Sequence, residues 1–345
     1  MNIAIIGKFY TEGFGLHIEE TLIEMGHTSI RIDPEVQFLQ YNFLGKRIKN
    51  INKTLYQQVF YKIPFIREKK SNEIYSTLKK HTIDLTLVLH DYLNISEVEE
   101  IKKITKSPVV LWFPDAISNF QKAMFFIAGY DYLFFVDKYI VEKLQSEFNL
   151  NAFYLPQCCN PSKHNKVSLT LNEKEKYECD ITNAGNLYPS RAALYKHLTQ
   201  YNFKMWGNPP AIWLRVSELD HVIMNETVYN EVKSKSFCAA KIVLNNLHPA
   251  VINGVNKRMF EIPACGGFQI TSHREAINEL FEVGKEIITY TDLNDLKTKI
   301  DYFLDPKNDA ERNQIIEAGY KKTISEHTYR NRLKTMFSII TNFKK

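Results

Sequence analysis

Two ionisable residues three positions apart, Arg258 and Glu261, carry the most specific chemistry in this chain. On a helix that spacing sends both side chains from one side toward whatever lies at its edge. A guanidinium suits a phosphate, and a carboxylate can accept both hydroxyls of a ribose, so the pair reads as a nucleotide contact. The residues from Asn253 to Ser272 supply its frame. Met259, Phe260, Ile262 and Ala264 give a helix its buried side, and Gly266 and Gly267 end it, because glycine takes a left-handed cap without steric cost. Phe268 to Ser272 follows as a short strand, with a helix over Arg274 to Leu280 expected next.

The elements that must position these groups follow an α/β rhythm. Asn2 to Gly7 is a nearly continuous apolar run, as in a central parallel strand. A loop, a helix from about Leu16 to Met25 and a second strand ending at Asp33 complete a βαβ opening. A dinucleotide fingerprint needs three closely spaced glycines, and Gly13 and Gly15 come too late after Gly7. Helices are expected over 72–81 and 96–105, the second capped by Ser96 with Glu99 at the capping-box position. They alternate with the strands Ile83 to Leu89, Pro108 to Phe113 and Tyr132 to Val136.

Ligands of such sheets gather beyond the carboxyl ends of the strands, which singles out His90 with Asp91, then Asp115, then Asp137 with Lys138. Asp115, just past an apolar strand, is placed either to serve as a general base or to cap the next helix. Pro156 to Pro161 and the polar run to Tyr177 read as a linker, and a second α/β alternation opens at Cys179.

A length of 345 residues suits two domains, and 44% hydrophobic with 24% charged residues indicates a globular chain. The net charge of +5 permits a phosphate-bearing ligand but is not the clustered excess of a nucleic-acid binder. Residues 36–70 interleave aromatics with lysine and arginine, and between 46 and 70 only Glu68 opposes the positive charge. That stretch suits weak peripheral contact with an anionic membrane, an acidic acceptor, or a helical insertion whose aromatics pack while its lysines face water. The five cysteines show no metal-ligand spacing and suggest reduced thiols. With no signal-peptide pattern and no apolar run of about 20 residues, a soluble cytoplasmic protein is expected.

The run from Glu261 to Phe268, with Asn256 to Phe260 before it, resembles the donor-site helix and turn of GT-B glycosyltransferases, and more narrowly their CgeB-like, spore-maturation-type branch. The resemblance covers about Cys179 to Arg332. It implies an α/β fold of two Rossmann-like domains whose parallel sheets face each other across a cleft. The acceptor-side domain would span 1–157 and the donor domain 158–327, with a helix over 328–345 crossing back to the first domain. In this reading Glu261 binds the ribose, while Gly185, Asn186 and Arg191 meet the diphosphate together with Arg258. Trp206 and Gly207 border the base. Asn245, His248, Asn253, Gly254 and Asn256 border the donor sugar and phosphates, and Gly266 and Gly267 let the backbone approach the donor. His17 lies on the acceptor side as base or hydrogen-bond donor. Related retaining enzymes have two glutamates eight positions apart, and here the first falls on Asn253, a departure from their pattern.

The expected activity is transfer of a sugar from a nucleoside-diphosphate donor to a protein, glycan or lipid-linked acceptor, with Asp115, His17 and Arg258 as the catalytic candidates and no nucleic-acid partner. UDP is carried over from the wider fold. Fixed cations can neutralise the leaving diphosphate, so neither metal nor cofactor is expected, in keeping with the lack of an Asp-x-Asp pair. The departure at Asn253 leaves a catalytically silent nucleotide-sugar-binding protein as the alternative. An epimerase of the same fold would need carboxylates beside the donor that the sequence does not offer.

Overall fold

The computed structural model describes residues 1–34, 63–120, 122–214 and 216–342. They form two compact units, one of Met1–Pro114, Phe120–Phe134 and Leu144–Phe153, the other of Asp115–Asn119, Phe135–Lys143 and Tyr154–Lys345.

The first unit is built on a six-stranded sheet in the order β2-β1-β3-β4-β5-β6. Its strands are β1 (Asn2–Ile6), β2 (Thr28–Ile32), β3 (Leu85–Val88), β4 (Val109–Phe113), β5 (Tyr132–Phe135) and β6 (Ala152–Tyr154). β1 pairs in parallel with β2 and β3, and β3 with β4. The apolar runs legible in the sequence are strands covered on both faces: Ile3 to Ile6 and all of β4 are buried. Helices α1 (Phe14–Glu24), α2 (Pro64–Leu78), α3 (Ile95–Thr105) and α4 (Lys138–Phe148) connect them.

Two expectations need correction here. Asn94, not Ser96, caps α3: its side chain accepts from Glu97 N at 3.0 Å while Glu97 Oε2 accepts from Asn94 N at 2.9 Å. The Ser96 hydroxyl instead donates to Asn94 Oδ1 at 2.8 Å. α2 begins at Pro64, well before residue 72, because proline at the first helical position starts a helix without losing a bond. The basic aromatic stretch over 36–70 lies outside the described residues as far as 62. Its last part is the first turns of α2, where Lys70 is buried and donates to Tyr92 O at 3.4 Å.

The second unit has a five-stranded parallel sheet in the order β11-β10-β9-β7-β8. These are β7 (Cys179–Ala184), β8 (Phe203–Trp206), β9 (Ala240–Asn245), β10 (Gln269–Ser272) and β11 (Ile288–Tyr290). The helices of this unit are α5 (Leu171–Tyr177), α6 (Pro189–Tyr195), α7 (Asn230–Ala239), α8 (Arg258–Ala264), α9 (Leu293–Leu304), α10 (Asp309–Glu326) and α11 (Tyr329–Asn342). One face packs Ile181, Tyr195, Phe203, Phe268 and Leu296, the other Tyr177, Trp206, Phe237, Val243 and Ile262.

The polar stretch expected to be a linker contains α5, closed by a capping box between Thr170 and Glu173. The helix expected over Arg274 to Leu280 is a 3-10 turn, Glu275–Glu279. Strand order changes direction between β7 and β9, which is where an open parallel sheet leaves a crevice beyond its carboxyl ends. Among the described residues no helix is long and apolar enough to cross a membrane.

Candidate functional site

At that switch point β7 runs out into Gly185, whose φ of +138° suits glycine. A side chain there has no room: a Cβ would sit 2.5 Å from Arg258 Nη1 and 2.9 Å from Arg191 Nη1. Two guanidinium groups therefore converge on one glycine. Arg191 is 0% exposed, lies 4.5 Å above the Tyr188 ring and donates from Nη1 to Asn186 O at 2.8 Å. Its Nε and Nη2 are buried without a hydrogen-bond partner. Arg258, half-buried at the start of α8, donates from Nη1 to Ala184 O at 2.7 Å, and its Nε is likewise buried and unpaired. Burial, and after it the charge of Arg191, pushes the Arg258 guanidinium down to about 10. Buried donors normally find acceptors. Two like charges with spare N–H groups beside one glycine can hold an anion.

Glu261 lies one turn further along α8 and is 1% exposed. Its Oε2 is 3.2 Å from Lys233 Nζ, while Oε1 is 3.1 Å from Lys257 Nζ and 3.4 Å from His164 Nε2. Burial alone would raise this carboxyl. The charges of Lys233 and then Lys257 overcome that and hold it well below the usual carboxylate range. The contacts are ionic, and neither oxygen accepts a hydrogen bond of good geometry, so lone pairs remain for further donors.

Other sequence candidates gather around these two centres. Asn186 is exposed and accepts from Asn208 Nδ2 at 3.0 Å. Gly207 passes so close to Gly185 O that a side chain would collide with it. His248 is exposed beside Tyr188, with ring centroids 5.4 Å apart. Asn245 and Asn256 pair amide to amide at 2.9 and 3.2 Å, and Asn256 Oδ1 also accepts from Met259 N, which fixes the start of α8.

Several candidates sit elsewhere. The Trp206 ring packs in the core against Tyr177, leaving only its backbone at the loop. Gly266 has φ +76° and caps α8, and Gly267 lets α8 pack on Val243, so chain geometry accounts for both. Gly254 lies against the backbone of Val136 and Asp137. Asn253 Oδ1 is taken by Ala276 N at 2.8 Å, so the residue at the first-glutamate position staples a loop. Asp115 is half-buried beyond β4 and leads into the 3-10 turn Ile117–Asn119. His17 is enclosed in α1 of the first unit.

Two residues at work here escaped the sequence reading, and a third was singled out without its role. Lys233 and His164 lie on polar stretches with no local motif. Asp137, noted only as following a strand, accepts backbone N–H groups from Ile252, Asn253 and Tyr139 at 2.8–3.1 Å and so holds the loop before α8.

Residues 190–338 match a protein family described as glycosyl transferase-like. No curated protein sequence matches the chain. Solved structures share its fold at low identity. A glycosyltransferase from Rickettsia africae is 14% identical with a TM-score of 0.68, over 100% of this chain and 98% of that one. Sucrose-phosphate synthase from Thermosynechococcus elongatus is 10% identical with a TM-score of 0.69, over 99% and 98%. Anabaena HepE in complex with UDP-glucose is 10% identical with a TM-score of 0.65, over 99% and 100%. The chain thus has the GT-B fold, with one parallel sheet in each unit.

Proposed function

We propose that this chain is a glycosyltransferase whose second unit holds a nucleoside-diphosphate sugar. The observation that carries the reading is the convergence of Arg191 and Arg258 on Gly185 with guanidinium N–H groups left unpaired. A diphosphate supplies the missing acceptors, and the same two cations stabilise it as it leaves the sugar. Glu261, with lone pairs to spare, is the proposed partner of the ribose hydroxyls. UDP is the proposed nucleotide, supported by the fold shared with the HepE–UDP-glucose complex.

In the reaction the acceptor oxygen bonds to the sugar carbon as the bond to the diphosphate oxygen breaks, and a base takes the acceptor proton. Of the two candidates Asp115 is partly open and His17 enclosed, so Asp115 is assigned that part. The acceptor belongs to the protein, glycan or lipid-linked class. With two fixed cations at the leaving group, no metal is required in this reading. The capture of the Asn253 side chain by Ala276 supports a second reading, donor binding without transfer.

The test is thermal stabilisation by UDP, GDP, ADP, CMP and TDP sugars, each with and without a chelator. One nucleotide should raise the melting temperature irrespective of chelator, and Arg191→Ala or Arg258→Ala should abolish the rise. No shift with any donor would overturn the reading. A shift without slow donor hydrolysis or transfer would favour the silent binder.

A further inference from the structure

A carboxylate buried as deeply as Glu261 keeps its charge only beside a fixed cation. The two lysines that face it are not equivalent. Lys233 reaches Oε2 from α7 with its side chain only 7% exposed, whereas Lys257, at the mouth of α8, reaches Oε1 with 32% exposed. His164 is fully buried, and its Nδ1 accepts from Asn160 N at 3.2 Å, so the neutral ring carries its proton on Nε2 and turns it toward Oε1. Oε2 thus has a walled-in partner, and Oε1 has one partner that can turn to water.

We propose that Lys233 is a positioning residue that holds Glu261 ionised and aimed for a ribose diol, so that the site takes ribonucleoside diphosphates and rejects 2′-deoxy ones. The proposal rests on the assignment of Glu261 to the ribose. A neutral diol brings no charge of its own, and the carboxylate it would meet is already shut off from water. The cation that stays must then come from the protein, and Lys233 is the one with no way out. Lys257 is the one the diol displaces.

Calorimetric titration with UDP, dUDP and inorganic pyrophosphate tests this. The wild-type chain should prefer UDP over dUDP by about 10- to 100-fold, the range for hydrogen bonds to a charged group. Lys233→Met should bring the preference close to one, as should Glu261→Gln, with pyrophosphate affinity within about twofold because the arginines are untouched. Lys257→Met should keep the preference. A Lys233→Met protein that discriminates like the wild type overturns the proposal and leaves the Glu261 assignment standing. A wild type that does not discriminate overturns both.

Where Lys233→Met fails to fold, the double variant with Glu261→Gln removes both buried charges and should bind all three ligands as Glu261→Gln alone does. Loss of pyrophosphate affinity in the double variant alone would place Lys233 on the phosphates and overturn the proposal. Failure of the double variant to fold would make Lys233 purely structural and overturn it too.

Discussion

Replacing Arg258 by methionine separates the cost of holding its charge from the proposed use of that charge. The fall of the guanidinium from 12.5 to about 10 means that the folded state holds this charge less well than the unfolded state. At about 1.36 kcal/mol per pH unit that is roughly 3 kcal/mol, and partial exposure reduces it to about 1–2 kcal/mol. The sign is fixed by the direction: a base whose folded value is depressed is charged in both states at neutral pH. The folded state therefore bears the whole penalty, which lifts only as pH rises past about 10. Methionine removes the charge and loses the bond to Ala184 O, a matter of about 1 kcal/mol. Stability without ligand should therefore hold level or rise by about 1 kcal/mol, whereas truncating an ordinary buried side chain costs about 0.5–3 kcal/mol. With UDP at a hundred times its Kd the wild type gains about 2.7 kcal/mol, and the variant should lose most of that gain. Urea or thermal melts with and without UDP would show the two proteins exchanging rank. A variant that is clearly weaker without ligand, yet still stabilised by it, would refute the reasoning.

Gly185→Ala introduces a Cβ against both guanidiniums at a φ of +138°. It should cost about 1–2 kcal/mol of stability and at least about tenfold in UDP affinity, read by melts and calorimetry; unchanged affinity would remove the arginines from the site. His327 donates from Nε2 to Leu280 O and accepts at Nδ1 from Arg332, and burial followed by the Arg332 charge pushes it down to about 4. Because the unfolded ring binds protons from about 6.5 downward, roughly 3 kcal/mol should be lost between there and pH 4. His327→Gln should flatten that part of the stability–pH curve, and an unaltered slope would assign it to other groups. Asp137→Ala leaves the N–H groups of Ile252, Asn253 and Tyr139 without their acceptor and should cost about 1–3 kcal/mol in urea melts. A loss near zero would show that the loop before α8 is held by other means.

What was legible in the sequence was local. The apolar runs of β1 and β4 announce buried strands, and Arg258 to Gly266 announces a helix with a glycine cap because periodicity and cap lie within a few residues. The α3 cap was misplaced because Asn94 and Ser96 are both good cap types, and only the extended backbone at Asn94 decides between them. Helix α5 hid in a polar run because Tyr177 is its one buried residue. Gly267 carries no mark of whether it faces a ligand or its own core, and β9 settles that it faces the core. The pairing of Lys233 with Glu261 spans two helices on one sheet, and no spacing in the chain encodes it. Arg191 and Arg258 are legible as arginines, but their meeting depends on a strand order that runs from β8 through β7 to β9.

The two halves of α8 stand in opposite electrostatic states, and that contrast bears on the proposed ligand. Arg258 has too little negative charge around it, with Arg191 as its neighbour. Glu261, three residues on, has more than enough positive charge from Lys233 and Lys257. An anion at the first position relieves the repulsion between the arginines. A second anion at Glu261 would meet a carboxylate of its own sign, and a cation there would add to two lysines already in place. Only a neutral donor leaves that balance unchanged. Residues three apart on a helix present their groups roughly 5–6 Å apart at Cβ, so the two demands fall on neighbouring parts of one molecule. A diphosphate joined to a ribose diol meets both, whereas pyrophosphate meets the first alone. The affinity of UDP over dUDP therefore measures what Glu261 contributes through the diol, and Glu261→Gln should remove most of that difference while leaving the pyrophosphate affinity in place.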